Sequence, residues 1–155
     1  MFIDFLNRRF VECANSEAVV WKSQSFTYGW LGDRVAHWQS YLSGQGVESG
    51  AVVALEADFS PNAVALFLAL ADAGCVLVPL TSAVSARRDE FIEIAEAELS
   101  ISIDADDDVV LTRFSRDAGH KLYGHLREPG HPGLVIFSSG STGKSKAAVH
   151  DVVPL

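Results

Sequence analysis

Short apolar runs alternating with segments of helical period constrain this chain more than any other feature. Residues 52–57, 76–80, 101–103 and 134–137 are strand-like runs rich in Val, Leu and Ile. The first three are separated by two stretches with helix signals. Ser60-Pro61 opens one with proline in the first turn and Gly74 stops it, and its residues 64–70 are apolar almost all round, as in a helix buried on more than one side. The other is capped by Ser85 and sets Phe91, Ile92, Ala95 and Leu99 on one face. Strand, helix, strand, helix, strand implies parallel pairing with right-handed crossovers. The predicted fold is α/β, three layers, a mainly parallel sheet flanked by helices.

Upstream, residues 2–13 place Phe2, Phe5, Leu6, Phe10 and Cys13 near one face of a first helix. Residues 19–21 and 25–27 read as a short hairpin around Lys22-Ser23-Gln24. Thr27 then caps a helix whose Tyr28, Leu31, Val35, Trp38 and Leu42 recur at three and four residues, and Gly44 and Gly46 end it. Residues 104–133 are the least regular part, an irregular connection with room for a strand near 109–111.

The last run, 134–137, leads into Ser138-Ser139-Gly140-Ser141-Thr142-Gly143-Lys144-Ser145-Lys146. Two glycines three apart let backbone N–H groups approach an anion and point inward around it. Four hydroxyls and two lysines add donors and positive charge. This is the chemistry of a nucleotide-phosphate site, and ligands of open α/β sheets bind at the carboxyl edge of the strands, where the segment lies. The P-loop pattern fits its end, Gly143-Lys144-Ser145, but has Ser138 where it needs glycine. A P-loop also opens a helix, whereas residues 146–155 are β-branched and end near Pro154.

A second pattern matches better. Residues 138–146 resemble the signature of AMP-forming adenylating enzymes (acyl-CoA synthetases, peptide-synthetase adenylation domains and luciferases), with Ser145 for the proline and Ala147 for the following glycine. Three further stretches, in order, are similar to elements of that family: Ser25-Phe26-Thr27-Tyr28-Gly29, Gly46-Val47-Glu48-Ser49-Gly50 running into Val52-Val53-Ala54-Leu55, and Ala73-Gly74-Cys75-Val76-Leu77-Val78-Pro79-Leu80.

The resemblance implies an amino-terminal part of that family's large N-terminal domain, occupying 1–155 as one α/β unit. It implies an ATP-dependent ligase of acyl-CoA synthetase type, which converts a small carboxylic acid and ATP to acyl-AMP and pyrophosphate. The acyl group then passes to CoA or a phosphopantetheine thiol. It assigns Ser138, Ser139, Gly140, Ser141, Thr142, Gly143, Lys144 and Lys146 to the ATP phosphates, with Lys144 at a variable position, Thr142 as a Mg²⁺-ATP contact and His150 as an acyl or CoA pocket candidate. The family's adenine-binding, hinge and catalytic-lysine segments lie further on, so the expected partner is the remainder of the enzyme, and the chain alone is expected to be inactive. Two other readings stay open: a P-loop nucleotide-binding protein or kinase using Gly143-Lys144-Ser145, and a non-catalytic binding module from a truncated gene.

Composition limits the partners. A net charge of −8 argues against nucleic acid, which needs clustered Lys and Arg. No apolar run is long enough for a membrane span, and no basic n-region precedes residues 2–5. Cys13 and Cys75, 62 residues apart in apolar surroundings, read as free thiols of a cytoplasmic protein. Asp104, Asp106, Asp107 and Asp108 fit no calcium-loop register, because Val109 and Ser115 stand where glycine and glutamate are required. They read as a solvated turn. His120, His125 and His131 share no helical face and have no cysteine nearby. Trp21, Trp30 and Trp38 are core candidates.

Overall fold

The computed structural model describes residues 3–139 and 145–153. A hairpin, β1 (Glu17–Trp21) and β2 (Gln24–Thr27), turns through Lys22 and Ser23, both at positive φ. The main sheet contains β3 (Val52–Glu56), β4 (Val76–Leu80), β5 (Leu99–Ile103), β6 (Val109–Arg113), β7 (Gly133–Ser139) and β8 (Ser145–Asp151), in the order β6-β5-β3-β4-β7-β8. The internal pairs β3–β4, β3–β5 and β4–β7 are parallel, and the edge strands β6 and β8 are antiparallel to their neighbours. The mainly parallel sheet expected from the alternation is the one observed.

Strand alternation divides two cores. Val53, Leu55, Leu77, Leu99 and Ile101 face α1 (Asp4–Glu12), α2 (Tyr28–Gly44) and α3 (Pro61–Asp72). Val52, Ala54, Val76, Val78, Leu80 and Val135 face α4 (Arg88–Ile94) and α5 (Lys121–Arg127). Each central strand buries both faces, which is why it reads as a continuous apolar run. The caps fall where the sequence sets them: Thr27 accepts from the Trp30 N–H, and Ser60 from the Ala63 N–H. Gly74, at φ +74°, turns the chain from α3 into β4.

Four local expectations are corrected. Ser85 does not cap a helix; it lies inside a 3₁₀ turn (Ser82–Arg87) whose start is held by the Asp58 carboxylate, which accepts from the Ser82 N–H and hydroxyl. Leu99 belongs to β5 rather than to α4. On α1, Phe10 is buried while Phe5 is 57% exposed, and Phe2 lies outside the described residues. The 104–133 stretch holds β6, near where a strand was expected, and also α5, which was not expected. Among the described residues no helix is long and apolar enough to cross a membrane.

Candidate functional site

β7 runs parallel to β4, so its carboxyl end opens at the same edge of the sheet as the ends of β3, β4 and β5. Its alternation sets Val135 and Phe137 toward the α4–α5 core, leaving Ile136 48% exposed on the other side. β8 returns antiparallel in unbroken register, pairing Ser138 with Lys146 and Ser139 with Ser145. Gly140, Ser141, Thr142, Gly143 and Lys144 lie outside the described residues. The register sets the two ends of that segment opposite one another.

Directly opposed residues of an antiparallel pair share a sheet face. The exposed Ser138 hydroxyl and Lys146 ammonium therefore project on one face. A hydroxyl donor beside a primary ammonium at a carboxyl edge fits an anionic phosphate oxygen. His150 is also exposed and paired with Leu134, four residues further along β8. At roughly 3.3 Å per residue it stands about 13 Å from Lys146, near the opposite edge of the sheet. The structure thus brings Ser138 and Lys146 together and leaves His150 apart from them. The return as a strand separates the two loop patterns. A P-loop is followed by a helix whose amino end receives the phosphate, but residues 145–151 form β8.

One element of the site was not singled out in the sequence. Arg87, at the end of the 3₁₀ turn, donates to the Ser145 hydroxyl. Glu90 accepts from it through two bonds, Nε to Oε2 at 2.9 Å and Nη2 to Oε1 at 3.0 Å. The hydrogen bond from Arg87, then those from Ser145, hold the Glu90 carboxyl below its ordinary range. Phe91 stacks on Phe137, with ring centroids 4.0 Å apart and planes 10° from parallel.

A cavity of about 620 Å³ opens on the same edge, beyond the ends of β3, β4 and β5. The chain leaves β3 for α3 on one face and β4 for α4 on the other, so their ends diverge as at a topological switch point. Trp21, Phe26 and Trp30 line one side. Four carboxylates (Glu56, Asp58, Asp104, Asp107) against Lys22 and Arg88 make the remaining wall net negative. The carboxylates have partners: Arg88 Nη2 donates to Glu56 at 2.8 Å, Ser82 to Asp58 at 2.9 Å, and Asn62 to Asp107 at 3.2 Å. Such a wall disfavours a polyphosphate. The signal available beforehand was the pair of acids, Glu56 and Asp58, directly behind a strand end.

The remaining candidates are accounted for locally. Asp104 Oδ1 accepts from the N–H groups of Asp106 and Asp108, closing the acidic turn on itself. His120 Nδ1 caps α5 by accepting from the Leu122 N–H, and His131 Nδ1 meets Asp151 Oδ2 at 2.8 Å. The hydrogen bond to His131 lowers the Asp151 pKa. Trp38 is buried, whereas Trp21 and Trp30 are half-buried. Cys13 and Cys75 are both free thiols.

The family described as AMP-binding enzyme matches residues 6–152. No curated protein matches the sequence. Among solved structures, the Klebsiella oxytoca NpsA N-terminal subdomain in complex with 3-hydroxyanthranilyl-AMSN is similar at TM-score 0.70 and 22% identity, over 97% of this chain and 39% of that one. VinN in complex with 3-methylaspartate is similar at TM-score 0.72 and 21% identity, over 97% and 47%. NpsA-ThdA, an artificially fused adenylation-PCP di-domain from Klebsiella oxytoca, gives 0.71 and 21%, over 97% and 32%. The chain therefore spans less than half the length of these proteins.

Proposed function

Because the chain belongs to the AMP-binding enzyme family over residues 6–152, we propose that it is the N-terminal, phosphate-binding part of an ATP-dependent ligase that activates a small carboxylic acid as its adenylate. The observation that carries this reading is the β7–β8 hairpin. A strand enters the Gly/Ser/Thr-rich segment at the carboxyl edge of the sheet and a strand leaves it, with Ser138 and Lys146 on one face.

In this reading residues 138–143 supply hydroxyl and N–H donors to the β- and γ-phosphates of ATP. Lys146 pairs with phosphate charge, Lys144 is secondary, and Thr142 is a contact to phosphate or to its Mg²⁺. Bound Mg²⁺ supplies neutralising charge at the phosphates. Attack by the substrate carboxylate at the α-phosphorus releases pyrophosphate, and the donors of residues 138–143 would stabilise the charge that the departing oxygens gain. The acceptor that follows is a thiol, CoA or a phosphopantetheine arm, with His150 a candidate for the surface that receives it. The span of 32–47% of the structural relatives supports the further reading that these residues do not complete the reaction alone.

The test is carboxylate-dependent exchange of pyrophosphate into ATP by the full-length protein, with Mg-ATP thermal shift on residues 1–155. Lys146→Ala should lower exchange by about 10²-fold, as for removal of one preorganised electrostatic partner, and Lys144→Ala by much less. The reverse order would favour a P-loop. Absence of any ATP effect would leave a non-catalytic binding module.

A further inference from the structure

Both limbs of the β7–β8 hairpin are held from one short segment, residues 87–91, close to where they approach residues 140–144. On the β7 limb, Phe137 stacks against Phe91 of α4. On the β8 limb, Ser145 receives the Arg87 guanidinium. These grips are linked, since Arg87 also lies over the Phe91 ring, 5.1 Å from its centroid. Glu90, one turn along the same segment, fixes the guanidinium through its two-bond fork. Beyond the pairing of β7 with β8, the rest of the sheet offers little restraint here, because β4 and β7 pair only at Val76–Gly133 and Leu77–Leu134, well before the strand end.

We infer that Arg87 is a positioning residue for the phosphate site: Glu90 and Phe91 hold its guanidinium, which anchors Ser145 at the start of β8 and thereby steadies Lys146 where the β7–β8 pairing sets it, opposite Ser138. The inference rests on the adenylating reading for the word "phosphate" but on geometry alone for the clamp. An exposed Arg–Glu pair adds little to stability by itself. A planar fork that also lies over a ring specifies direction, which a lysine cannot reproduce. Ser145 leaves φ free where proline would fix it, so the noncovalent clamp supplies the restraint that a pyrrolidine ring would otherwise give. Proline is tolerated at the first residue of an edge strand, so the exchange can be made experimentally.

The test uses Arg87→Ala, Arg87→Lys, Ser145→Pro and the Arg87→Ala/Ser145→Pro double variant. Readouts are amide exchange at residues 146 and 147, melting temperature, and affinity for Mg-ATP. Expected for Arg87→Ala is faster exchange at 146 and 147 and about tenfold weaker Mg-ATP binding, the scale of one lost hydrogen bond to a charged group, with the melting temperature nearly unchanged. Arg87→Lys should not rescue. Ser145→Pro should, making Arg87 dispensable in the double variant. Unchanged exchange in Arg87→Ala, or a loss from Arg87→Ala that is equal with and without Ser145→Pro, would overturn the inference. If exchange responds while no variant, the wild type included, binds Mg-ATP, the clamp stands and the adenylating reading falls. If the wild type and Arg87→Ala bind Mg-ATP equally, the positioning role falls and the adenylating reading stands.

Discussion

Asn62 is 5% exposed, and its amide joins two regions far apart in sequence. Its Oδ1 accepts from the Trp38 indole N–H at 2.9 Å, and its Nδ2 donates to Asp107 at 3.2 Å. Asn62→Ala would leave a buried indole N–H without a partner. The expected loss is about 1–3 kcal/mol, the desolvation penalty of one orphaned donor, and urea unfolding measures it. Trp38 was legible as a core residue because it recurs with Leu31, Val35 and Leu42. Asn62 was not, since it lies in the first turn of an apolar helix and its partners are 24 and 45 positions away. The same contrast divides the candidate site. Ser138 and Lys146 were readable from one contiguous motif, whereas Arg87 reaches Ser145 across 58 positions and belongs to no local pattern.

At the scale of elements, the legible ones carry their own start and stop signals. α2 and α3 have hydroxyl caps and glycine ends, and β3, β4 and β5 are short apolar runs fed by turns. α5 has only seven residues, with Gly124 inside it, and does not reach two turns of apolar repeat. It is held by tertiary contacts: Tyr123 Oη donates to the Ala95 carbonyl at 2.7 Å, and Arg127 bridges the Gly50 and Ala118 carbonyls at 3.0 and 2.7 Å. Arg127 also meets Glu98 at 3.3 Å, and Glu98 in turn accepts from the Val52 N–H at 2.8 Å. Arg127→Ala removes the link between α5 and the amino edge of the sheet. It should cost about 1.5–3 kcal/mol, the range for hydrogen bonds to a charged group. Hydrogen exchange should then show α5 opening before β3 and β4; uniform loss of protection across all three would contradict a local role.

Across the whole molecule, groups that favour one protonation state when folded set the pH range of stability. On the acid side, Asp151 is lowered mainly by the hydrogen bond to His131, and Glu90 mainly by Arg87. A carboxyl lowered by folding contributes stability above its unfolded pKa and loses it as pH falls through the folded value. Both contributions should therefore vanish on acidification below the ordinary carboxylate range, and Asp151→Asn should remove its part of that acid dependence. On the alkaline side the sign reverses. Burial pushes the Cys75 thiol up to about 12, from an ordinary value of 9.0, and the Tyr123 phenol up to about 12. Between these limits the unfolded chain releases a proton that the folded chain keeps, so stability falls as pH rises, by up to about 1.4 kcal/mol per unit for a fully coupled group such as Cys75. Cys75 should also resist thiol reagents in the native protein, because it is fully buried and stays protonated. Urea unfolding from pH 7 to 11 checks the first point, and the rate of Cys75 modification by a thiol reagent in the native protein checks the second. Cys75→Ala should flatten the limb above pH 9, leaving the shallower decline due to Tyr123. An unchanged slope would mean that the buried thiol is not the group that holds its proton.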